Sequence, residues 1–174
     1  MAKVRLGLAQ INPVVGSLAD NTAVILRAYA AAVAAQCDLV AFPELAVTGY
    51  PPEDLVLKPG FLADNRRALD DLVAATGSAT LVVGFVDCVE TTVNGVTERL
   101  LFNAAAVARE GRLLGTYRKQ LLPNYSVFDE ERYFLPGPDN QPVFEVCGVP
   151  VAVSLAGAVV SVEARAVRRS RSAK

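Results

Sequence analysis

Three short, almost wholly apolar runs set the limits on what this chain can become. They are Val4–Gln10 (VRLGLAQ), Asp38–Phe42 (DLVAF) and Thr80–Val86 (TLVVGFV). Each is too short for a helix and reads as a buried strand. Between the first two lies an Ala-rich stretch with Val24, Leu26 and Tyr29 among its larger side chains, running to about Gln36. It opens at Ser17-Leu-Ala-Asp20, a capping-box-like start. Between the second and third, Phe61, Leu62, Leu69, Leu72 and Val73 recur at helical spacing and predict a helix over Phe61–Ala75. Strand, helix, strand, helix, strand implies a layered α/β domain.

The second half changes character. Leu101–Ala108 and Arg112–Arg118 are strand-like runs on either side of Glu110-Gly111, a tight hairpin signal. An irregular aromatic segment, 121–137, follows, and Val143–Val146 and Val149–Leu155 predict two more strands. The expectation is one mixed-sheet α/β domain over residues 1–155, with 156–174 as a divergent basic tail.

A length of 174 residues fits one domain, and a hydrophobic fraction of 52% with 20% charged residues is globular. The chain has no histidine, which excludes His general bases, Ser-His and Cys-His nucleophiles and His-ligated metals. Its three cysteines, Cys37, Cys88 and Cys147, have no CxxC spacing, so neither a disulfide framework nor a metal site is expected. The start lacks a signal h-region, and no apolar run approaches the roughly 18 residues of a membrane helix. A cytoplasmic protein without a membrane contact is the expectation. The formal charge of −1 hides a basic end, with Arg165, Arg168, Arg169, Arg171 and Lys174 against Glu163. No aromatic residue is interleaved there, so a solvated end is expected rather than a nucleic-acid contact.

Glu44 follows the strand directly, in Phe42-Pro-Glu-Leu45. Ligands bind at strand ends in open α/β sheets, and a partly desolvated carboxylate there suits proton transfer; a capping or ion-paired loop Glu is the alternative. Lys119 ends the second hairpin strand, where an ammonium can face a developing oxyanion or simply lie on the surface. The segment 122–134 packs four aromatics, three acids and an Arg into a loop. It reads either as a pocket wall or as a satellite apolar cluster.

Together these residues resemble a family. Phe42-Pro-Glu-Leu with Thr48-Gly-Tyr50 is similar to the glutamate motif of the nitrilase, or carbon–nitrogen hydrolase, superfamily, and Tyr117-Arg-Lys119 to its lysine motif. Gly49-Tyr-Pro-Pro-Glu-Asp-Leu55, Leu101-Phe-Asn103-Ala and the segment 122–134 resemble the glutaminase domains of glutamine-dependent NAD synthetases. The resemblance implies an α–β–β–α sandwich with mixed sheets, here incomplete. It implies Glu44 as general base, Lys119 as oxyanion partner, Glu130 as a support orienting the lysine, and Tyr125 near the substrate. In that chemistry a Cys thiolate attacks the glutamine side-chain amide and Glu passes the thiol proton to the departing ammonia. Water then releases glutamate from the thioester. Glutamine is the implied partner, with a homo-oligomer possible as in the family. ATP and Mg would belong to a separate synthetase domain that uses the ammonia for NAD synthesis. No metal or cofactor is expected on this chain.

The family's nucleophile follows the strand ending at Leu155, where this chain has Ala156-Gly-Ala158. The expectation is a chain without the acyl-enzyme route, a shortened or frame-shifted relative. Alternatives are a non-catalytic pseudo-glutaminase binding module and a nitrilase-type amidase with another substrate. Cys147 precedes the last strand and is expected to lie far from the nucleophile position.

Overall fold

The computed structural model describes residues 3–124, 129–156 and 159–164. The first strand is β1 (Leu6–Leu8), followed by α1 (Leu18–Ala34) and β2 (Leu39–Ala41). A single 3-10 turn, Glu53–Leu57, leads into α2 (Pro59–Ala74), whose proline stands at the first helical position, where its missing N–H costs nothing. Then come β3 (Thr80–Val93), β4 (Val96–Arg109) and β5 (Arg112–Arg118). A second 3-10 turn, Glu130–Arg132, precedes β6 (Val143–Val146), β7 (Val149–Ala156) and β8 (Val159–Ala164).

The first five strands form one sheet in chain order. β1, β2 and β3 run parallel; β3, β4 and β5 are antiparallel. The last three form a separate antiparallel sheet. Alternation along the strands explains the layering. Val40, Phe42, Leu81, Val83 and Phe85 point to one face, where Ile25 and Tyr29 of α1 and Leu69 and Leu72 of α2 cover them. Leu39, Ala41, Val82, Ala105, Val107 and Tyr117 point to the other, against Phe144, Val146, Val151, Val153 and Leu155 of the second sheet. Helices, sheet and sheet are therefore three successive layers, in the order of the expected sandwich. A second helical layer is not among the described residues.

Four local features depart from the sequence reading. Ser17 does not cap α1 with its side chain; its hydroxyl donates instead to the Asp20 carboxylate at 2.7 Å. The strands β3 and β4 extend well beyond 80–86 and 101–108, meeting at Asn94-Gly95, both at positive φ (51° and 79°). That is the pairing a tight primed turn requires. Their outer halves carry Asp87, Glu90, Glu98 and Arg99 and are largely exposed, so no apolar pattern marks them. Third, buried Asn65 sits on the inner face of α2, where its amide donates to Val86 O at 2.7 Å. Finally, β8 pairs with β7 from Val151↔Ala164 to Ala156↔Val159, so the second sheet continues past residue 155. The Arg-rich stretch 165–174 lies outside the described residues.

Candidate active site

Glu44 is placed by backbone rather than by its own side chain. Phe42 N–H still donates to Val82 O at 2.9 Å, but Pro43 has no N–H and the ladder stops. The chain then turns over β3, with Val47 N–H donating to Gly84 O at 3.1 Å and Gly49 N–H to Leu45 O at 2.8 Å. Glycine at 84 allows this approach: a Cβ there would lie 2.6 Å from Pro43 O and 2.8 Å from Glu44 C. Buried Asn21 of α1 fastens the far side, donating to Val47 O at 3.0 Å and to Val14 O at 2.8 Å. Leu45 completes the turn at φ 49°, a conformation its burial must enforce.

Lys119 follows β5. Its N–H donates to Asn103 O and its carbonyl accepts from Gly137 N–H, both at 2.8 Å. Neighbouring Arg118 pairs with Asp87 at 2.7 Å and stacks over the Phe102 ring at 4.2 Å. Gln141 bridges the Arg118 backbone on both sides, accepting from its N–H at 3.2 Å and donating to its carbonyl at 3.0 Å. The strand end that presents Lys119 is thus held from three directions. Glu130 opens the second 3-10 turn, and two residues beyond that turn Phe134 is buried with Leu45, Val56, Leu62, Val86 and Leu101.

These elements converge. The Lys119 ammonium lies 2.7 Å from Glu44 Oε1 and 3.0 Å from each oxygen of Glu130. All three side chains are at least 95% buried, with Lys119 only 1% exposed. Asn103 donates to Glu44 Oε1 at 2.5 Å and to Glu130 Oε2 at 3.2 Å, and Tyr50 OH donates to Glu130 Oε1 at 3.1 Å. Glu44 Oε2 is buried and has no hydrogen-bond partner among the described residues. It is a carboxylate oxygen with its lone pairs free, the condition of a proton acceptor.

Of the residues singled out from sequence, Glu44, Lys119 and Glu130 meet here, and Tyr125 lies outside the described residues. Asn103 and Tyr50 join them without having been singled out for a role. Their only signal was membership of the resembling stretches, because an Asn inside a strand has no chemical spacing of its own. The aromatic segment serves both of its readings. Phe134 belongs to the buried cluster and Tyr133 packs against it, and both line a cavity of about 270 Å³ with Tyr50, Asp54, Glu130 and Arg132. Tyr133 OH donates to Asp54 at 2.7 Å, which holds its phenol above the usual range.

The thiols lie elsewhere. Cys147 occupies the turn between β6 and β7 and its Sγ is 3.5 Å from Asp38 Oδ1. Asp38 precedes β2 and Glu44 follows it, so the thiol is at the opposite end of that strand. The hydrogen bond to Asp38 is the main influence raising the Cys147 thiol above its ordinary value. Burial raises Cys88. Among the described residues no group of His, Cys, Asp and Glu side chains is arranged to hold a metal ion, and no helix is long and apolar enough to cross a membrane.

The sequence model of the carbon–nitrogen hydrolase family matches residues 5–166. The chain belongs to the carbon–nitrogen hydrolase family. The match runs into β8, beyond the last strand legible in the sequence. Relatives include a protein of Xanthomonas campestris named glutamine-dependent NAD(+) synthetase, 47% identical over 152 residues, covering 86% of this chain and 26% of the relative. One of the same name from Thermotoga maritima is 40% identical over 157 residues, covering 89% and 26%. The chain therefore spans about a quarter of the length of these relatives. A solved glutamine-dependent NAD+ synthetase from Acinetobacter baumannii superposes with a TM-score of 0.74 at 37% identity, covering 84% of this chain and 26% of that one. An amidase from Nesterenkonia matches at TM-score 0.66 and 23% identity, covering 84% of this chain and 53% of that one, which is a likeness of fold.

Proposed function

We propose that this chain carries the proton-accepting and oxyanion-stabilising groups of a glutaminase-type amide hydrolase site and that Ala156 stands where the thiol nucleophile would be. The observation that carries this reading is the buried contact of Lys119 with Glu44 and Glu130, with one Glu44 oxygen that has no hydrogen-bond partner among the described residues. Glutamine is the amide favoured by the names of the similar synthetases.

In this reading Glu44 Oε2 takes the proton of an attacking nucleophile and returns it to the leaving nitrogen. Lys119, held by Glu130, faces the oxyanion of the tetrahedral intermediate. Neither group attacks the carbonyl carbon, so without a thiol at 156 no thioester forms and glutamine is not turned over by that route. Cys147 does not substitute: it sits at the wrong end of β2, and its thiol is held protonated by Asp38. In a full-length relative the ammonia would feed a synthetase portion that holds ATP and Mg.

Glutamate release from glutamine tests the reading. The expected result is release no faster than in the absence of protein. Turnover that disappears in Glu44→Gln would overturn the inactivity and require a nucleophile elsewhere.

A further inference from the structure

Among the described residues the buried cluster does not balance in charge. Glu44 and Glu130 face one ammonium, so with both carboxylates ionised the group carries one negative charge in excess, away from water. A buried charge without a partner is costly, and such a group ordinarily takes up a proton instead. A protonated Glu44 cannot act as a base. Something must hold it ionised.

Asn103 is the residue placed to do this. It lies on β4 opposite Val86 and is fully buried. Its amide nitrogen has two hydrogens, and each has a carboxylate: Glu44 Oε1 at 2.5 Å and Glu130 Oε2 at 3.2 Å. With both carboxylates ionised, only the amide nitrogen can face them, and Asn103 Oδ1 on the other side is buried with no hydrogen-bond partner among the described residues. Glu44 Oε1 already accepts from Lys119, so the Asn103 contact fills the same oxygen and leaves Oε2 free.

We infer that Asn103 is a positioning residue that keeps Glu44 ionised and commits Oε2 as its proton-accepting oxygen. This rests on the reading of Glu44 as the base, and its test reads the carboxyl group directly, independent of any turnover. Among the described residues, the titratable groups that Asn103 touches, or that touch its partners, include Glu44 after β2, Lys119 after β5, Glu130 in the 3-10 turn and the Tyr50 hydroxyl.

The experiment uses the whole chain and Asn103→Leu, which keeps the branched outline with bulkier methyl groups and removes both donors. Hydrogen bonds to the charged form favour ionisation, so their loss makes the folded cluster bind a proton that the unfolded chain at neutral pH does not. The folded variant then loses stability as pH rises, relative to the unaltered chain. The gap between their denaturation midpoints should widen from pH 5 to pH 8; a role in packing alone leaves it constant. Infrared spectra near neutral pH should show the carbonyl band of a protonated carboxyl in Asn103→Leu that is lost on adding Glu44→Gln. A constant gap without that band overturns the inference. If Asn103→Leu does not fold, the unaltered chain still decides. It should show no protonated-carboxyl band that Glu44→Gln removes, and finding one overturns the inference. Glutamate release is not used, so a failure here leaves the proposed reaction to its own assay.

Discussion

Lys119 and Glu44 are 75 residues apart in sequence and 2.7 Å apart in space, each with about 1% of its side chain exposed. Neither is stable there alone. A buried ion pair adds little net stability against an apolar replacement of both partners, but removing one partner strands the other. The consequence here is sharper, since Lys119 serves two carboxylates.

Lys119→Met should therefore destabilise the chain by about 3–5 kcal/mol at neutral pH, measured by chemical denaturation. It leaves Glu44 and Glu130 facing each other without a cation. The folded variant relieves this by binding protons, so the loss should shrink toward pH 5. A loss below about 1 kcal/mol, the range of exposed pairs, would mean that water reaches the cluster.

Gly84 controls Glu44 from below. A methyl group there meets the backbone of Pro43, Glu44 and Leu45 rather than a side chain that can rotate away. Gly84→Ala should cost about 1–3 kcal/mol, as overpacking of a close-packed core does. Gly60→Ala is the control, since a Cβ at that position meets nothing within 4 Å. Equal effects in the two variants would show that the turn over β3 is not tight.

The exposed thiol of Cys147 gives a pH-linked prediction. Its hydrogen bond to Asp38 and the adjacent negative charge hold it protonated, so iodoacetamide should react slowly at pH 7.5. Asp38→Asn removes the charge and lets the thiol fall toward its ordinary value. Alkylation at Cys147, followed by peptide mapping, should accelerate by about threefold or more. An unchanged rate would separate the thiol from Asp38 in solution.

How far the sequence leads depends on what kind of signal each element carries. β2 and the inner half of β3 are apolar along their length because helices cover one face and the second sheet the other, so they stand out at once. The outer arms of β3 and β4 have solvent around them and carry charges, and their pairing is written only in Asn94-Gly95. Glu44 and Lys119 are legible because each closes a strand. Asn103 and Asn65 are polar residues on apolar faces, and periodicity passes over them. Their role emerges only when a distant partner arrives: Glu44 and Glu130 for one, the Val86 backbone for the other.

Ala156 offers the most direct test of what the site lacks. It is the last residue of β7, and its backbone pairs with Val159. Under the proposed function it is the nucleophile position, which would lie beside Glu44 and Lys119. In the proposed site Glu44 Oε2 takes the proton of a thiol placed there and the Lys119 ammonium faces the thiolate that forms, so the thiol reacts more readily than a free one, whose pKa is about 8.5. The thiol introduced by Ala156→Cys should therefore react with iodoacetamide at pH 7 at least about tenfold faster than Cys147, which Asp38 holds protonated. Adding Lys119→Met should remove most of that advantage. Both rates come from one digest by mass spectrometry, so Cys147 is an internal standard. Reactivity no greater than that of Cys147 would place residue 156 away from Lys119 and count against it as the nucleophile position.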